Sequence, residues 1–74
     1  MTQERTTIYA TGRNEMYAAV EIVHYGNGDI ATMEDDKGVT PAQAVKALNK
    51  ATGKTWKHSE HNKRNFYHKF EEVR

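Results

Sequence analysis

No cysteine occurs anywhere in this chain, which excludes disulfides, cysteine-held zinc or iron–sulfur centres and thiol redox chemistry. A secreted domain of 74 residues would usually need such staples, so a reducing, cytoplasmic setting is expected. No apolar run approaches the roughly 18 residues that a membrane span needs, and no membrane partner is expected. The polar start Met1-Thr2-Gln3-Glu4-Arg5 leads into no apolar run, which argues against a signal peptide. A Gly-rich phosphate loop before a helix and a G-x-S-x-G elbow are also missing, which removes two common catalytic frameworks. The length allows a single domain with a thin core, since a chain this short hides only about 60% of its unfolded surface.

What the chain has is charge, unevenly placed. Net charge is +1. Residues 1–37 nevertheless carry three basic and seven acidic side chains, whereas residues 38–74 carry eight basic and three acidic. The stretch Lys46–Lys69 alone holds seven positive charges against the single acid Glu60. Local potential of this kind steers partners even when the total is near zero.

Residues 1–5 read as a frayed terminus, followed by one α+β domain over 6–74. Thr6–Thr11 is rich in β-branched and aromatic residues and predicts a strand. From Met16 to His24 the even positions Met16, Ala18, Val20 and Ile22 are apolar, and the odd ones mix Tyr17, Ala19, Glu21 and Val23. That pattern predicts a strand with one buried and one half-exposed face. Asn27-Gly28 signals a hairpin, Ile30–Met33 a short third strand, and Glu34–Gly38 an acidic loop. Thr40-Pro41 starts a helix over 41–52 with Gly53 as its C-terminal cap and Ala44, Val45, Leu48 and Ala51 as its apolar stripe.

The last third reads two ways. Phe66, Phe70 and Val73 have helical spacing, but Asn65–Val73 also reads as a strand with Phe66 and Phe70 facing inward. Strand is preferred, because Glu71-Glu72 would oppose a helix dipole and a fourth strand improves the core. Lys54–His58 is a candidate partner strand before a turn at His61–Asn65. The expected fold is a small antiparallel sheet of three to four strands on one helix, in the order β-β-β-α-β.

Among candidates for chemistry, His58 and His61 form H-x-x-H around Glu60, with His68 seven residues further on. Zinc needs three or four rigidly held donors, and a polar, irregular segment would not supply that rigidity, so neither metal nor cofactor is expected. His61, Asn65 and His68 are too closely spaced for a histidine–asparagine–histidine nuclease unit. The adjacent carboxylates Asp35-Asp36 and Glu71-Glu72 read as solvated charge. No catalytic role follows from any of these.

The basic stretch interleaves cations with aromatic rings, which suits either a protein interface or a nucleic-acid surface. Lys46, Lys50, Lys54, Trp56, Lys57, Lys63 and Arg64 are the expected partner-binding set. Trp56 is either the cap of a thin core or the exposed anchor of that surface. In element order over Met16–Val73, in its Thr40-Pro41 helix start and in its closing aromatic strand, the chain resembles small accessory proteins carried by phages and plasmids. Such proteins are single α+β domains that inhibit or redirect host machinery by direct contact. The resemblance implies a protein partner and transfers no site residues; the basic second half leads to the expectation that the partner's surface is acidic. A βββα nucleic-acid-binding domain is the alternative, although Glu21 on the exposed face and a pI near 8.0 suit it poorly. A homo-oligomer pairing acidic with basic halves is the third reading.

Overall fold

The computed structural model describes residues 4–26, 28–35 and 38–73. The chain is α+β: one antiparallel sheet of five strands and one helix. The strands are β1 (Glu4–Thr11), β2 (Tyr17–His24), β3 (Ile30–Glu34), β4 (Trp56–Asn62) and β5 (Tyr67–Glu72), and α1 spans Pro41–Thr52 between β3 and β4. Their order across the sheet is β1-β2-β3-β5-β4, so β5 returns from β4 to fill the gap beside β3. The expected three to four strands are therefore corrected to five, with the order β-β-β-α-β-β. The strand sought in Lys54–His58 starts at Trp56 and runs on to Asn62, which moves the turn to residues 63–66.

The alternation read in β2 holds at Ala18, Val20 and Ile22, which are buried. Met16 lies before the strand, exposed, with its side chain against Gly38. Cross-strand register carries the buried face sideways: Ile8 pairs with Val20, Ala10 with Ala18, Met33 with Val20 and Ala31 with Ile22. Phe70 pairs with Ala31 and completes the row on β5. Glu4 and Arg5, expected in a frayed terminus, already pair with His24 and Val23. The rest of that expectation, at residues 1–3, lies outside the described residues, as do Asn27 of the hairpin and Asp36 and Lys37 of the acidic loop.

Helix α1 forms where expected because both its ends are chemically specified. The Thr40 hydroxyl accepts from the Gln43 backbone N–H at 3.2 Å, and the Gln43 side chain accepts from the Thr40 N–H at 2.8 Å. Together they satisfy two backbone donors that a helix start leaves open. Gly53 closes the other end at φ 72°, a left-handed conformation that glycine adopts without steric cost. Ala44 and Leu48 are the buried stripe, with Val45 and Ala47 packed beside them. Ala51 is exposed, contrary to expectation, because the helix has by then crossed to the sheet margin.

The path of that crossing governs the molecule. Arg13 N–H bonds Gly38 C=O at 3.1 Å, which places the approach to α1 over the C-terminal end of β1. The helix leaves at the start of β4, where Asn49 and Thr52 hold Trp56. It thus lies diagonally over one face of the sheet, packed chiefly on β1 and β4. The other face carries no covering element among the described residues.

The close approach of Gly12 to Gly38 anchors the upper end of this diagonal. A Cβ at Gly12 would fall 1.7 Å from the Gly38 carbonyl oxygen, so no side chain fits without moving backbone. Gly12→Ala is therefore expected to lower stability by about 1–3 kcal/mol through overpacking, measured as a fall in the urea midpoint. Gly53→Ala should cost less, since only the φ preference is violated there.

Candidate functional site

The two corners that the diagonal helix leaves open are each closed by a histidine–aspartate network. At the first corner, His24 Nδ1 meets Asp29 Oδ2 at 2.9 Å and His24 Nε2 meets Thr6 Oγ1 at 2.8 Å. Lys54 Nζ adds bonds to Asp29 at 3.3 Å and to Glu72 at 3.4 Å. Asp29 is only 7% exposed. Burial alone would raise its carboxyl, but the hydrogen bonds and charges of His24 and Lys54 outweigh burial and hold it below the usual value. Lys54 is correspondingly raised, first by its bond to Asp29 and then by Glu72. The chain hydroxyl–imidazole–carboxylate has the outline of a nucleophile and its base, but Lys54 shares the carboxylate oxygen and the network joins five strands or loops. Its evident work is structural.

At the second corner, Asp35 follows β3 and reaches two rings: His61 Nε2 at 2.9 Å and His68 Nε2 at 3.2 Å. His68 Nδ1 in turn meets His58 Nε2 at 3.1 Å. His61 and His68 stack with centroids 4.1 Å apart, and His58 leans on His68 and Phe70 at 5.0 and 5.3 Å. His68 is 5% exposed, so its two nitrogens are served by these partners. The bond from His61, reinforced by His68, holds the Asp35 carboxyl below the usual range. Desolvation against the neighbouring rings, then repulsion by His68, pushes His58 below the ordinary imidazole value.

These side chains converge through an irregularity of β4. Residues three apart on a regular strand face opposite ways, which is why H-x-x-H in a strand offers no common site. Between His58 and Glu60 the register slips: His58 pairs with Phe70, and Glu60 pairs with Lys69. The extra residue, Ser59, donates to the Lys69 carbonyl at 3.2 Å. This β-bulge resets the alternation so that His58 and His61 both share the face of His68. Glu60, between them in sequence, is paired with Lys69 on the other face. The expectation that this segment is irregular is corrected: it is a strand, and Asp35, expected among solvated charge, stands beside its rings.

The expected partner-binding set is dispersed. Trp56 is 3% exposed and belongs to the core. Its indole N–H donates to Thr52 at 2.9 Å and its backbone N–H to Asn49 at 2.8 Å. The anchor reading of this ring is thereby corrected to the core-capping one. Lys54 is engaged with Asp29 and Glu72. Lys46 and Lys50 are exposed on the helix side, whereas Lys57, paired with Glu71, lies on the opposite face of the sheet. Lys63 and Arg64 occupy the β4–β5 turn beside Phe66.

That bare face holds what the sequence reading missed. Tyr9 and Tyr17 are 63% and 66% exposed and meet edge to face at 5.9 Å. Tyr17, Ile30, Thr32, Phe66 and Tyr67 line one broad trough across the sheet. Phe66, expected to face inward, is 68% exposed and has φ 57°, a left-handed backbone that bulky residues rarely adopt. Asn62, whose side chain accepts from Asn65 N–H, and Asp35, whose N–H bonds the Phe66 carbonyl at 2.8 Å, hold it there. Alternation in β2 already pointed to Tyr17; nothing in the sequence marked Phe66 as a turn residue.

No family model matches the chain, and neither a curated protein nor a solved structure shows significant similarity to it. Among the described residues, no helix is long and apolar enough to cross a membrane.

Asp29→Asn tests the first corner. A depressed carboxyl stabilises the folded state above its unfolded pKa near 3.9 and loses that contribution as pH falls through the folded value. The variant should lose about 1–3 kcal/mol at pH 7 and show a shallower stability decline below about pH 4. Urea titrations at both pH values read the difference; parallel pH curves for the two proteins would refute it.

Proposed function

We propose that this chain is a non-catalytic binding protein that modulates a protein partner, held on the uncovered face of the sheet. One observation carries the reading: Tyr9, Tyr17 and Phe66 stand exposed on or beside a sheet face that nothing else in the described chain covers. Exposed aromatic rings of this kind are enriched at the centres of protein interfaces. The strained placement of Phe66 adds support, since a bulky ring held out in a left-handed conformation costs about 1–2 kcal/mol without aiding the core.

The charge around the trough favours a protein over a nucleic acid. Glu21, Glu34 and Glu60 line the trough and Glu71 shares its face, against Arg5, Lys57 and Lys69. Such a mixture repels phosphate as much as it attracts it. On the β4–β5 side, Lys57, Lys63, Arg64 and Lys69 outnumber Glu60 and Glu71, which suits a partner with an apolar centre and an acidic rim. Lack of cysteine supports a cytoplasmic setting for the encounter.

The test compares two double variants in capture from a lysate, with the retained partner identified in each. Tyr17→Ser with Phe66→Gly should weaken that partner by about thirtyfold or more, whereas Lys46→Glu with Lys50→Glu should retain it. The opposite pattern would move the interface to the helix and overturn the proposal. Phe66→Gly alone should leave stability within about 1 kcal/mol of the parent, because relief of strain offsets the small burial lost. Tight binding to duplex or single-stranded DNA that collapses with added salt would instead establish the nucleic-acid reading.

A further inference from the structure

We propose that Asp35, His61 and His68 form a binding site for a borderline divalent metal ion of the zinc type. Asp35 offers carboxylate oxygens and the two histidines offer ring nitrogens, all within 4.8 Å of one another. Ligand atoms around a tetrahedral ion with bonds near 2.0–2.1 Å stand about 3.3–3.4 Å apart. The contacts already present, 2.9 Å from Asp35 Oδ2 to His61 Nε2 and 3.2 Å from Asp35 Oδ1 to His68 Nε2, bring one carboxylate oxygen to each ring nitrogen near that spacing, and a small turn of the carboxylate sets a single oxygen between them. An ion would replace the two protons that now bridge carboxylate and imidazoles.

Three features suit such a site beyond proximity. The donors come from three different strands or their ends, so the sheet fixes them before any ion arrives. The bulge at Ser59 serves this convergence, since without it His61 would face the other side. The third feature is an outer partner: with Nε2 of His68 on the metal, its Nδ1–H donates to His58 Nε2 at the existing 3.1 Å. Metal-bound histidines characteristically donate their second N–H in this way, which fixes the tautomer. Two imidazoles and one carboxylate favour zinc, cobalt, nickel or copper over magnesium or calcium, which prefer oxygen throughout. The side chains of His61 and Asp35 are 32% and 38% exposed, leaving a fourth position for water.

The experiment uses untagged full-length protein freed of metal by chelator, titrated with zinc in a calorimeter and with cobalt in a spectrophotometer. Saturable uptake of about one equivalent, with the intense visible bands of tetrahedral cobalt, is expected. Asp35→Asn and His61→Ala should each abolish those bands, while circular dichroism verifies the fold. His58→Gln should weaken zinc by about 10–100-fold while leaving the bands in place. His24→Gln, at the far corner, should bind like the parent. Absence of saturable binding, or binding that survives Asp35→Asn and His61→Ala, would overturn the site. So would binding that is lost with His24→Gln alone. None of these outcomes depends on the protein partner proposed above.

Discussion

One helix has to cover five strands, and it cannot. Twelve residues of α-helix extend about 18 Å and are roughly 10 Å wide, while five strands span about 19 Å between their outer axes. A diagonal placement spreads the helix across the whole width at the expense of two corners. Its start is tied to β1 through Gly12 and Gly38, and its end to β4 through Trp56. Apolar side chains fill the band beneath it, from Ala10 and Val20 to Phe70 and Trp56. Among the described residues the buried polar ones, Asp29 and His68, stand to either side of that band, at the two uncovered corners.

This arrangement explains why buried histidine and aspartate are present in so small a core. Neither corner has a helix above it, so water approaches, and a polar network closes the edge where an apolar side chain would stay wet. Every described buried side-chain polar atom has a partner, which keeps the burial of Asp29 and His68 from being a penalty. The corners differ in composition. Lysine completes the first, with His24, Asp29 and Glu72 around it. The second has three imidazoles and one carboxylate and no described lysine or arginine bond, and this leaves it chemically open to a cation.

Local signals in the sequence reported the helix and the first three strands well. Thr40, Pro41 and Gly53 mark the helix ends by hydrogen bonding and backbone preference alone, and Ala18, Val20 and Ile22 mark a face by alternation. Reading failed where position depends on distant chain. Trp56 is core because Thr52 and Asn49 receive its two N–H groups, a pairing no spacing rule announces. Phe66 is expected to face inward with Phe70 on one strand but sits in a turn held by Asn62 and Asp35. Counting lysines along the chain found an excess of charge but not its geometry, since the helix and β4 present their cations to opposite sides. The histidine site was illegible for a related reason: its fourth member, Asp35, comes from a separate strand end.

The bulge at Ser59 also ties chemistry to chain length. Facing direction along a strand is a matter of parity, and β4 changes parity once, between His58 and Glu60. Loss of Ser59 would remove the bulge yet leave the two histidines two apart on a regular strand, still on one face, whereas straightening the bulge with all residues kept would turn His61 to the other side of the sheet. One residue between two such histidines on a regular strand, or two across a bulge, gives the same facing, so it is the count taken together with the bulge that sets the site.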